Sequence, residues 1–456
     1  MDRSLTLINA QIQFLDTRLA LIHIPLTLYP HFIQPILKLL ALIGVDEEDE
    51  DGLPRKPWSF YYPFANISVT PIECSVVCPR HLVQEFFVPI LSDLSAKART
   101  QVSISKDDFV AVFVGGSGTE AGQRVLDVTA PLALAGISIF FITSYYSDFV
   151  LVPLKSRLAV VKALEEQGFA FEHRQNGFAH MTNISSPMSS YHTPAHGRQK
   201  STASDFDFTV QSPGTPPPTS IAEWQIKTFA TLKRNNVGPV LDTTLTLASA
   251  GGHRGDRATQ ARLTHYVTTS LLRVPPPRFL SLTLTDTDST SLMLDRKLLD
   301  MFPSGGADFL LFSDEVTIPI VFDLRELPDE STGIVCGVAG RLIERMYEED
   351  RKLGRSVPQG FNMSYLSTAK AGNVIVREDE AKASSPPDPT TPAPSSFSPQ
   401  VPAQQSPPPS PSRQRRVLRP YIGRMSRVSA RSGEHDGRGG EGDVWGYVQR
   451  DLAEEM

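Results

Sequence analysis

The sequence predicts an α+β fold made of split βαββαβ units in two related halves. Three observations lead there. Residues 108–171 read as strand, helix, strand, strand, helix, strand. The pattern of residues 69–86 returns about 215 residues later. A Ser/Thr/Pro-rich stretch separates two regions of apolar periodicity.

Taken in order, 5–15 and 18–26 read as strands, and Pro30 or Pro35 opens a helix running through Ile36, Leu39, Leu40 and Ile43. The acidic run 46–51 lacks EF-hand spacing and reads as a solvated turn. Strands follow at 61–69 and 74–78, then a helix at 80–91. The apolar run Phe109 through Val114, bounded by charge and by Gly115-Gly116-Ser117-Gly118, is a buried strand. Thr119 and Glu120 suit a helix start, and Val125, Val128, Thr129 and Leu132 form one helical face. Gly136 stops that helix. Segments 137–142 and 146–152 are strands, Leu158, Val161 and Leu164 mark a second helix, and 169–171 begins a fourth strand. This order is the ferredoxin-like plan.

From 172 to 220 periodicity vanishes, which predicts a disordered linker with Ser-Pro and Thr-Pro pairs at Ser186, Thr193, Ser212 and Thr215. Beyond it we expect a strand at 225–232, a helix at 237–248 and a surface insertion at 251–262. Strands are expected at 279–285, 291–294 and 318–324, a short helix at 296–302, and a helix at 333–349 weakened by Gly337 and Gly340. A charged insertion at 348–355 and strands at 362–366 and 373–376 complete the second half, whose last unit lacks a match to 155–171. After residue 381 Pro and Ser dominate. The tail holds seven arginines between 413 and 431, suited to an anionic surface, and an amphipathic stretch at 443–456 suited to a partner.

The repeat aligns Val69-Thr70-Pro71-Ile72-Glu73-Cys74 with Leu284-Thr285-Asp286-Thr287-Asp288-Ser289, and Val83 with Leu299. With 456 residues, 40% hydrophobic, the chain has room for several domains. A net charge of −6 does not suggest nucleic-acid binding. Its three cysteines include Cys74 and Cys78, about 13 Å apart on a strand and unable to bridge. Three unpaired thiols predict a reducing, cytoplasmic location. Residues 19–45 are apolar but broken by Pro25, Pro30 and Pro35, so no integral membrane segment is expected.

No catalytic constellation appears. Asp107 and Asp108 would face opposite ways on a strand edge, and no G-x-S-x-G, H-E-x-x-H or Walker pattern is present. We expect no enzyme, no cofactor and no metal. Gly115–Gly118, between a strand and a helix, suits a phosphate or an α-carboxylate, although a tight turn accounts for the same glycines.

At 109–153 (FVAVFVGGSGTEAGQRVLDVTAPLALAGISIFFITSYYSDFVLVP), at LMLDRKLLDMFP, DESTGIVCGVAGRL and NMSYLSTAKAGNVIV, the chain resembles the ACT-domain family, and more closely the CASTOR arginine sensors of the TOR kinase pathway. The resemblance implies tandem ACT modules at 1–100, 101–180, 222–303 and 304–380, with a disordered linker at 181–221 and a disordered tail at 381–456. It implies a non-enzymatic amino-acid sensor with its ligand between modules two and four. Ser138 and Ile139 match the family's ligand contacts in the second module. Glu330, Thr332, Gly333 and Ile334 fall on its Asp-Glu-Cys-Gly-Ile loop, with Ser331 as an extra residue, and Ser367-Thr368 match the Ser-Thr ending its late strand. The family then has Phe-Asn-Phe-Asp, whereas this chain has Ala369-Lys370-Ala371-Gly372. Gly372 thus replaces the acidic partner of a cationic ligand, which disfavours arginine and leaves a neutral or acidic amino acid, or none. Tyr145 and Asp148 match positions that contact the family's GATOR partner; a β-turn with Asp148 bonded to its own backbone explains the same residues. A homodimer is a further expectation. The alternatives are a ligand-free ACT scaffold and, third, a regulatory subunit of an amino-acid enzyme.

Overall fold

Apolar runs become strands here because both strand faces find something to bury against. The structure, a computed structural model, describes residues 11–45, 55–115, 121–171, 220–328, 331–352 and 363–378. In chain order these form β1 (Gln11–Pro25), α1 (Tyr29–Leu40), β2 (Phe64–Val69), β3 (Glu73–Pro79), α2 (Arg80–Leu82), a π-turn (Val83–Phe87), α3 (Val88–Asp93), α4 (Ala96–Arg99) and β4 (Ser103–Ile104). Next come β5 (Phe109–Gly115), α5 (Ala121–Leu134), β6 (Phe140–Thr143), β7 (Asp148–Pro153), α6 (Arg157–Glu165) and β8 (Ala170–Phe171). The second half contains α7 (Ile221–Arg234), β9 (Pro239–Leu241), β10 (Leu247–Gly252), α8 (Arg257–Leu271), β11 (Leu280–Thr285), β12 (Ser291–Asp295) and β13 (Leu310–Phe312). It ends with β14 (Thr317–Asp323), α9 (Ile334–Lys352), β15 (Ser364–Ser367) and β16 (Ala371–Arg377).

All sixteen described strands join one sheet, fourteen of them in the order β13-β10-β12-β11-β2-β3-β1-β5-β7-β6-β15-β16-β14-β9, and a β10–β14 contact at Leu247 and Thr317 closes it. Twelve of them thus make a barrel-like ring, with β13 and β9 off its two ends and β4 and β8 on β1. β1 serves two neighbourhoods: its first part pairs with β5, its second with β3, and the register breaks between Leu15 and Leu19. β8 therefore lies beside β1, in parallel, and not beside β5.

Three large apolar clusters follow from this layout, and a small fourth joins Ala130, Ala133, Trp224 and Cys336. One gathers α1, the Val83–Phe87 turn and α8 on β1–β3 and β10–β12. A second gathers α5, α6, α7 and α9 on β5–β7 and β14–β16. Each joins residues from both halves of the chain. The third lies on the strand face turned away from the helices, where Leu21, Phe64, Phe149, Met293, Leu366 and Ile375 meet. Strand side chains alternate between these faces, so β2, β3, β7, β11 and β12 are buried throughout.

The inner face is polar at the β2–β11 seam. Asn66 donates to Ser281 (3.2 Å) and Thr283 (3.1 Å) and accepts from Ser68 (2.7 Å). The seam is reciprocal: Val69 pairs with Leu280 and Ala65 with Leu284, while Ile67 faces Leu282. That matches the 215-residue offset of the repeat and is the pattern of a two-fold contact.

Several expectations about the second half need correction. Residues 225–232 are helical, within α7, whose start is capped by the Ser220 hydroxyl accepting from the Glu223 N–H. Its buried positions Trp224, Thr228 and Leu232 recur every four residues. Residues 237–248 contain β9 and the start of β10, not a helix. The expected insertion at 251–262 is the end of β10 and the first turns of α8, capped by Asp256 on Thr259. α9 continues to Lys352. Residues 353–355, the linker up to residue 219 and the tail after 378 lie outside the described residues. All three cysteines are free and buried.

Candidate functional site

β6 and the start of α9 meet where the apolar stripe of α5 ends. Gly136, at φ 69°, terminates α5; Ile137 is buried behind it, and Ser138 and Ile139 lead half-buried into β6. The Ser138 hydroxyl reaches the Ser331 carbonyl at 3.5 Å, a long contact across 193 residues of sequence. Ser331, Thr332 and Gly333 form the entrance to α9. Gly333 adopts φ 76°, and a Cβ there would lie 2.5 Å from the Trp224 ring, so both backbone and space require glycine. Its carbonyl receives the Thr228 hydroxyl (3.2 Å) and the first helical N–H of α9, from Gly337 (2.8 Å).

Beside this entrance lies a cleft of about 230 Å³, lined by Lys227, Thr228 and Thr231 of α7 and by Pro328, Ser331, Thr332 and Ile334. Lys227, one of the lining residues, has its ammonium 4.7 Å over the Trp224 ring, a cation–π contact. The cleft thus offers one cation, several hydroxyls and backbone groups at a helix start, a setting suited to a small polar ligand with a carboxylate.

The remaining expected residues have other neighbours. Ser367 accepts from the Phe141 N–H (2.9 Å) and Thr143 accepts from the Tyr365 N–H (3.1 Å), joining β15 to β6 around the Leu366–Ile142 pair. Thr368 is buried and donates to the Glu73 carboxylate (2.6 Å), inside the ring. Gly372 pairs with Phe322 and Ser367, and a Cβ there would stand 2.8 Å from the buried Tyr365 hydroxyl. Glu330 and residues 116–120 lie outside the described residues.

Tyr145 and Tyr146 turn toward β10 and β12. The Tyr145 N–H donates to Ser291 (2.7 Å) and the Tyr146 hydroxyl to the Gly252 carbonyl (2.7 Å). Burial, partly offset by Arg254, pushes the Tyr146 phenol up to about 12. Asp148 is buried, with its carboxylate on Arg124 at 2.6 Å. Its burial raises the pKa despite the lowering by Arg124 and Thr143.

One polar cluster escaped the sequence reading. Glu73 is fully buried and accepts from His23, Thr368 and the Lys370 N–H, while Ser75 accepts from the Ala369 N–H. A charged residue on a strand whose every position is buried was the available signal. Among the described residues no group of three or more His, Cys, Asp or Glu could hold a metal. Nor is any helix among them long and apolar enough to cross a membrane.

Comparison with known proteins locates a family signal on this ground. The chain carries an ACT domain: that family's description matches residues 104–166, which include β5 through α6 and hence Ser138 and Ile139. No curated protein matches the chain. Solved structures with similarity include protein Atu0741 of Agrobacterium tumefaciens, 17% identical over 37% of this chain and 98% of its own, TM-score 0.23. Another is VC0802 of Vibrio cholerae, a protein of unknown function, 14% identical over 36% and 94%, TM-score 0.21. A third, from Porphyromonas gingivalis W83, is described as a C-terminal regulatory domain of aspartate kinase; it is 15% identical over 35% and 96%, TM-score 0.22.

Proposed function

We propose that this chain is a non-enzymatic regulatory protein of four ACT-like units that binds an amino acid in the cleft between α7 and the entrance to α9, next to the lead-in to β6. The carrying observation is the meeting of Ser138 with the Ser331 carbonyl beside that cleft. ACT domains typically bind amino acids in regulatory roles, and one is matched on the β6 side. In this reading α7 and β9 act as the last helix and strand of the fourth unit, since β9 pairs with β14 and α7 packs on α9. Occupancy favours one arrangement of β6 against α9 and so changes affinity for a protein partner. The likeness to the CASTOR sensors extends the reading to nutrient signalling in the cytoplasm, with a GATOR-like partner and a homodimer as the forms to look for. With Lys227 at the cleft and Ala369-Lys370-Ala371-Gly372 after Thr368, the ligand is a neutral or acidic amino acid in preference to arginine.

A ligand-free scaffold is the second reading. It is favoured by Thr368, whose hydroxyl is already engaged by Glu73. Calorimetric titration of the full chain with each of the twenty amino acids separates the two. The sensor reading expects a micromolar ligand, weakened several-fold to about tenfold in Ser138→Ala and Lys227→Ala, the cost of one hydrogen bond or charge contact. Silence toward all twenty, from protein shown to be folded, would transfer the case to the scaffold.

A further inference from the structure

We propose that Glu73, on β3 and remote in sequence from the cleft, is a positioning residue that sets the placement of β6 relative to the 324–328 segment leading to the cleft. The inference rests on the cleft reading for its functional meaning. Its structural content stands on the turn between β15 and β16. That turn, Thr368 to Ala371, closes on itself through the Thr368 N–H and the Ala371 carbonyl (2.8 Å). Glu73 reaches it from across the ring. One carboxylate oxygen takes the Thr368 hydroxyl and the Lys370 N–H, both at 2.6 Å. The other oxygen is held by the His23 Nδ1 at 2.5 Å, and the adjacent Ser75 takes the Ala369 N–H at 3.1 Å.

The turn in turn touches β6 and the 324–328 segment. Ser367, just before it, anchors the Phe141 N–H of β6, two residues beyond Ile139. Lys370, within it, accepts through its carbonyl the Leu324 N–H (2.9 Å), at the start of the segment that leads through Leu327 and Pro328 to the cleft. The Leu327 N–H then closes back on the Leu324 carbonyl (3.0 Å), so a shift at Leu324 is passed along. The neighbouring charges, Asp323 and Arg325, are paired with each other at the end of β14 and flank Leu324. Glu73 is fully buried, and a buried carboxylate with several donors has one low-energy geometry, so the turn inherits a fixed position. A shift of β6 or of the 324–328 segment must then be felt at β1 and β3, and the reverse.

Hydrogen exchange of the full-length chain, read by mass spectrometry, tests this. The variants are Glu73→Gln, Thr368→Val, which removes the hydroxyl at nearly constant shape, and Thr368→Ser, which keeps it. Exchange at residues 138–143 and 324–327 is expected to be at least about tenfold faster in Glu73→Gln and Thr368→Val and to return toward wild type in Thr368→Ser. Wild-type protein in urea, matched for global stability, supplies the comparison. Acceleration confined to 368–371, or the same pattern in the urea-matched wild type, would overturn the proposal. Should Glu73→Gln not fold, the Thr368 pair decides alone. No ligand is needed: a chain that binds no amino acid yet shows this pattern loses the sensor reading and keeps the coupling.

Discussion

Asp148 illustrates how position decides the role of a charged side chain. It begins β7, is 1% exposed, and has Arg124 as its counter-charge. Burial raises its pKa above the ordinary carboxylate value of 3.8. A carboxyl raised in the folded state binds its proton more tightly there than in the unfolded chain. Its contribution to stability is therefore fully present below about 3.8 and is lost as pH rises through the folded-state value. Denaturation midpoints of wild type and Asp148→Asn, measured from pH 3 upward, should show wild type losing ground to the variant across that window. Parallel curves would mean that Arg124 cancels the burial effect. The same burial turns Asp148 inward, and the tyrosines that precede it grip β10 and β12.

At the scale of elements, α7 and α9 approach closely because glycine faces threonine. A Cβ on Gly337 would fall 2.4 Å from the Thr228 hydroxyl oxygen and 2.6 Å from its Cβ, on a short branched side chain already bonded to Gly333. Gly337→Ala should cost about 1–2 kcal/mol, overpacking outweighing the gain in helix propensity. Gly340→Ala meets only the mobile end of Gln225, at 2.7 Å, and should be near neutral. Urea midpoints of the two variants check the contrast, and equal losses would contradict it. What sequence made legible follows the same division. β5, α5 and β7 announce themselves because a continuous apolar run or a four-residue stripe reports burial directly. α7 does not, because Thr228, Phe229 and Thr231 resemble strand chemistry and mask the Ser220–Glu223 cap. Ser138 and Thr332–Ile334 are singled out by family resemblance alone, and no pattern in the residues themselves marks them. The Glu73–Thr368 contact is legible by neither route, since its partners are 295 residues apart and only the closed ring brings them together.

Over the whole molecule, the two halves are interleaved. Each helix-side cluster draws on both, and the halves share the β2–β11 and β6–β15 pairings as well as the inner apolar face. An engineered protease site between residues 172 and 219, once cut, should therefore leave the two pieces co-eluting as one particle with one thermal transition. Separation of the pieces in native buffer would show that these seams are weaker than their burial implies. The reciprocal register of β2 with β11 carries a further consequence. A strand that pairs in this way with its own repeat can pair in the same way with an identical strand. One half of this chain therefore bears an edge already shaped for a twin, and joining two such halves in one polypeptide fixes their ratio at one to one and frees each to diverge, one with Asn66 and Ser68 where the other has Ser281 and Thr283.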